Sequence, residues 1–103
     1  MSTTLHTVNK SPFERNAFAS CLAHLMPGDA ILAIEDGVVG LRKSTAFADS
    51  LSSAAKDHKV YVLGPDLGAR GMSADDLIDG VSIVDYDGFV DLVAEHQRTQ
   101  AWL

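Results

Sequence analysis

The sequence predicts an α/β fold: a small, mostly parallel sheet of four to five strands with helices on both faces. Three observations lead there. Short runs rich in apolar and β-branched residues alternate with stretches of helical period, and strands alternating with helices imply parallel pairing through crossovers. One run, "DAILAI" (29–34), is nearly continuous apolar sequence, as a strand buried on both faces requires. The chain has 103 residues and is 47% hydrophobic, enough for one domain, taken as 1–103, with a real core.

The elements follow in order. "TLHTVN" (4–9) is rich in β-branched residues and reads as the first strand, with Leu5 and Val8 as its apolar members. "SPFE" (11–14) reads as a helix start: Ser11 as cap, Pro12 at the first helical position, Glu14 closing a capping box. That helix is expected to reach about Leu25, before "PG" at 27–28. At 100° per residue, Ala17, Phe18, Cys21, Leu22 and Leu25 fall within one arc of about 140°, the predicted core face. "DAILAI" is the second strand and ends in the polar turn "EDG" (35–37). Strand ends of this kind are where open α/β sheets usually place function.

A second helix is expected over 44–58, capped by Ser44 or Thr45, with Phe47, Leu51, Ala54 and Ala55 on its apolar stripe. "KVYVLG" (59–64) is the third strand. "PDLGARG" (65–71) reads as one or two helical turns between Pro65 and Gly71, and "SADD" caps a short helical piece around 74–78. "VSIVD" (81–85) is the fourth strand. "YDGFVDLVAEH" (86–96) gives the last helix, with Phe89, Leu92, Val93 and His96 at i, i+3, i+4 and i+7. The tail "RTQAWL" closes the chain.

Charge and composition narrow the function classes. The formal net charge is −6, and the eight Lys and Arg are scattered, which argues against direct nucleic-acid binding. One cysteine excludes an internal disulfide and fits a reducing, cytoplasmic setting. The N-terminus lacks an apolar signal core and no apolar run approaches a membrane span. The phosphate-loop patterns GxxxxGK[ST] and GxGxxG are absent, as is G-x-S-x-G. No cofactor is expected.

Cys21 is the one candidate for covalent chemistry. It reads either as a reactive thiol or as a core residue, since free cysteine is among the most buried types. Its place well into a helix sets it away from the helix N-terminus that helps a thiolate, while His24 at i+3 can offset this if protonated. His6, His24, His58 and His96 have no HxxxH or HxH spacing, so no metal site is expected and they read as surface or edge histidines. Glu35, Asp36 and Asp66 read either as acid–base groups or as turn formers.

Beyond these readings, "LHTVNKSPFERNAFASCL", "GDAILAIEDGV", "VYVLGPDLGARG", "IVDYDGFVDLV" and the terminal "AW" occur in order across nearly the whole chain. Together they resemble the DsrH/TusB family of sulfur-relay proteins, with "SPFERN…SCL" closest to the DsrH branch. The resemblance implies a DsrE-like fold and a small subunit of a heterohexamer, two of each chain, with DsrE/TusD-like and DsrF/TusC-like partners. It implies persulfide transfer, ending in tRNA wobble-uridine 2-thiolation in one branch and in sulfur oxidation through a DsrC/TusE-like carrier in the other. The principal sulfur-bearing cysteine is implied to lie in the DsrE/TusD-like subunit. Cys21 occupies the position of an accessory persulfide carrier, or of a packing residue in a purely structural subunit. Trp102 and Leu103 are candidate docking residues, or else pack on the sheet edge.

Overall fold

A computed structural model describes residues 3–103; Met1 and Ser2, which open the expected 1–103 domain, lie outside the described residues. Five strands, β1 (Thr4–Val8), β2 (Ala30–Ala33), β3 (Lys59–Leu63), β4 (Val81–Val84) and β5 (Arg98–Trp102), form one parallel sheet in the order β4-β3-β2-β1-β5. The predicted α/β class and parallel pairing are both found, and β5 completes the upper of the two strand numbers expected.

The helices divide unequally between the faces. On one face, α1 (Ala17–Ala23), α2 (Ala48–Asp57) and α3 (Gly64–Ala69) bury Phe18, Cys21, Leu51 and Leu67 against Val8, Ile31, Ala33, Val60 and Val62. The other face meets α4 (Tyr86–Glu95), where Leu92 packs on Leu5, Ala30 and Leu32. The reason is connectivity. Successive crossovers step from β1 to β4 on one side, and α4 then returns under the sheet to lay β5 beside β1. Ile31 and Leu32, adjacent in β2 and both fully buried, face opposite clusters, as a doubly covered strand must.

Several local expectations are corrected. The first helix begins at Ala17 and ends at Ala23, not from 11 to 25. Residues after Ser11 form a turn instead, in which Ser11 Oγ accepts from the Phe13 N–H at 3.2 Å and the Ser11 carbonyl accepts from Glu14 and Arg15. The second helix starts at Ala48, and its cap position is Phe47 rather than Ser44 or Thr45. Ser44 takes a left-handed φ of 65°, a bend that a helix cap does not adopt. The "EDG" turn continues as a 3₁₀ helix over Glu35–Leu41 that buries Val38 and Leu41. Gly37 permits this close approach: a Cβ there would collide with the Val8 carbonyl. The short piece after Ser73 spans Ala74–Asp76 and carries a capping box between Ser73 and Asp76. The tail forms β5, with Arg98 to Ala101 exposed and Trp102 partly buried against the first core cluster. Trp102 therefore packs on the sheet edge, while Leu103 is exposed.

Candidate functional site

Cys21 is placed by α1, whose inward stripe carries Phe18 and Cys21 onto the sheet. The predicted core face is found at these two positions, with Leu22 and Leu25 packed partly against it. The thiol is fully buried. Burial pushes it up to about 12, and the negative charge of Asp29 adds to the shift. Thiolate, the nucleophilic form, is correspondingly disfavoured at neutral pH. His24 does not serve as its base. It is exposed, its Nδ1–H donates to the Ser20 carbonyl at 2.7 Å, and its ring lies 5.5 Å from that of Trp102.

The polar centre beside the thiol is Asp29, which the sequence reading passed over. It is buried and opens β2 from the preceding turn. Its carboxylate accepts from the Thr4 N–H at 3.0 Å, from the Met26 N–H at 3.1 Å and from His6 Nε2 at 2.8 Å. Burial alone would raise the carboxyl. The hydrogen bonds from His6, Met26 and Thr4 outweigh it and hold Asp29 below the usual range.

His6 continues the chain. Its Nδ1 accepts the indole N–H of Trp102 at 2.9 Å. An indole nitrogen only donates, so His6 carries its proton on Nε2 and donates it to Asp29. A neutral imidazole thus satisfies both neighbours. The expectation of a surface or edge histidine is corrected for His6, which is only 5% exposed. The Asp29–His6–Trp102 chain fastens β2, β1 and β5 to one another across the sheet, and among the described residues no hydrogen bond links it to Cys21.

At the other ends of the strands, the carboxylates named as acid–base candidates build turns. Asp66 accepts from the Glu35 N–H, and Asp36 pairs with the Arg70 guanidinium at 2.9 Å. These contacts hold the 3₁₀ helix to α3, where Glu35 takes a φ of 49°. The N-terminal ends of the strands hold a cavity of about 380 Å³ lined by His58, His96, Tyr61, Asp57, Lys59 and Glu95. Both histidines donate Nδ1–H to a backbone carbonyl, of Asp29 and of Leu92. Among the described residues no three His, Cys, Asp or Glu side chains gather as a metal site, and no helix is long and apolar enough to cross a membrane.

Comparison with known proteins places the chain in a family and a fold. A family model described as DsrH-like protein matches residues 10–99. The chain is 36% identical over 98 residues to the protein TusB of Escherichia coli strain K12, covering 95% of this chain and 99% of that one. It is 39% identical over 98 residues to TusB of Shigella flexneri, with the same coverage of 95% and 99%. Among solved structures, the ychN protein of E. coli superposes with a TM-score of 0.80 at 15% identity, covering 98% of this chain and 99% of that one. MTH1491, a protein of unknown function from Methanobacterium thermoautotrophicum, superposes at 0.75 with 20% identity and coverage of 98% and 99%. These superpositions extend the fold to distant sequences, and the sequence matches set the affiliation: the chain belongs to the DsrH/TusB family of sulfur-relay proteins.

Proposed function

We propose that this chain is a docking and stabilising subunit of a cytoplasmic sulfur-relay assembly, held against DsrE/TusD-like and DsrF/TusC-like chains in a two-of-each heterohexamer. Persulfide sulfur passes through the assembly to a DsrC/TusE-like carrier, on cysteines of the partners. The family affiliation supports the relay, and similarity to TusB proteins supports tRNA wobble-uridine 2-thiolation as its outlet over sulfur oxidation. The acidic chain does not itself grip the tRNA.

The observation that carries the docking role is the state of Cys21. An accessory carrier must attack the outer sulfur of a partner persulfide as a thiolate, forming a new S–S bond while the partner thiolate leaves. A buried thiol raised to about 12 is poorly suited to that attack and well suited to filling the core. The burial of Cys21 thus favours the scaffold reading over the carrier reading. The test is Cys21→Ala in the assembled complex. The docking role requires persulfide transfer and wobble 2-thiouridine content to stay near wild type with the hexamer intact. Loss of transfer from an intact hexamer would restore the carrier role.

A further inference from the structure

We propose that the outward face of α4 seats a second, non-identical subunit whose contacting surface is apolar and rimmed by lysine or arginine. This rests on the sister-subunit reading above and assigns it a surface. Tyr86 is 61%, Val90 67% and Val93 41% exposed on this one helix. With Phe89 and Ala94 they line a shallow apolar depression of about 410 Å³. At 100° per residue Tyr86, Val90, Val93 and Ala94 occupy one outward arc of about 100°, with Phe89 at its inner edge, half-buried against the cluster of Leu5, Ala30, Leu32 and Leu92. Large apolar side chains that share a stripe, rather than lie singly, mark a contact surface.

Charge selects the occupant. Asp87, Asp91 and Glu95 follow one another at i, i+4 and i+8 along one flank of the stripe, and α4 has no Lys or Arg. A second copy with its helix antiparallel would set three carboxylates against three carboxylates along the same rim. A parallel copy would leave both acidic rims unmatched. The formal charge of −6 on each chain opposes either arrangement. A different chain with an apolar centre and basic rim matches both features, because rim charges of opposite sign steer and orient docking.

The experiment co-expresses the chain with its DsrE/TusD-like and DsrF/TusC-like subunits and follows assembly by native mass spectrometry and titration. Two variants are compared, Val90→Glu/Val93→Glu and Asp87→Lys/Asp91→Lys. All four positions are exposed, and far-UV circular dichroism checks that each variant is folded. The expected result is loss of assembly for the first and weakening of about tenfold or more for the second, with reduced salt dependence. Both variants assembling like wild type would overturn the assignment of this face and leave the sister-subunit reading standing. An isolated wild-type chain that forms a stable dimer, dissolved by Val90→Glu/Val93→Glu, would overturn it in favour of a second copy. A wild-type chain that never assembles with its sisters would overturn the sister-subunit reading and this assignment together.

Discussion

Trp102 donates its indole N–H to Nδ1 of His6 at 2.9 Å, closing a contact across 96 positions of sequence. That bond fixes the last strand of the sheet to the first and sets the tautomer with which His6 reaches Asp29. The edge strand β5 is otherwise exposed from Arg98 to Ala101, so beyond its backbone pairing with β1 the tryptophan is the side chain that ties it to the core.

Trp102→Phe keeps an aromatic ring but leaves His6 Nδ1 without a donor. A destabilisation of about 1 kcal/mol is expected. Trp102→Ala also loses the packing of the ring and is expected to cost about 2–3 kcal/mol. Urea unfolding followed by circular dichroism checks both values, and hydrogen exchange of the Arg98–Trp102 amides should accelerate first, as a locally opening edge.

Asp29→Asn is expected to destabilise by about 2 kcal/mol at neutral pH, because an amide cannot accept from His6, Thr4 and Met26 as a carboxylate does. The pH dependence has a definite sign. Asp29 is held below its unfolded value, so its contribution is complete above about pH 4 and is lost as pH falls through the lowered folded value. The stability gap between wild type and Asp29→Asn should therefore narrow in acid, measured by urea titrations between about pH 7 and 3. A gap that widened in acid would contradict the assignment.

Cys21 should resist alkylation in the folded chain at pH 8 and react rapidly in urea, since it is both buried and protonated. Cys21→Ala is expected to cost about 1 kcal/mol through a small cavity. Cys21→Ser should cost more, about 1–3 kcal/mol, by placing a hydroxyl among apolar neighbours. Timed iodoacetamide labelling and paired unfolding curves test the three statements.

Gly37→Ala should be among the most damaging single substitutions, at about 3 kcal/mol or more. The new Cβ meets the backbone carbonyl of Val8, which is held in β1 and cannot rotate away. The measurement is the urea midpoint of the purified variant, or its failure to accumulate in soluble form.

Much of this architecture was legible in the sequence for physical reasons. "DAILAI" is apolar at successive positions because both faces of β2 are covered, and Phe18 and Cys21 show the inward stripe of α1 through helical spacing. Three features were not legible. "SPFE" carries each local signal of a helix start, yet the chain turns there and Ser11 caps that turn instead. "RTQAWL" lacks alternating apolar residues because both faces of β5 are largely exposed, so its pairing with β1 is a tertiary fact. The buried chain of Asp29, His6 and Trp102 joins three distant segments, and no spacing rule connects them. Its one sequence trace was an acidic residue opening an otherwise apolar strand.

The central claim, that this subunit docks and stabilises while its own thiol stays in the core, is tested most directly by loading the assembled complex with a persulfide donor. Mass spectrometry of each intact chain then locates the added sulfur. The account predicts sulfur on a partner cysteine and an unmodified Cys21. A persulfide on Cys21, formed at the rate of relay turnover, would contradict it.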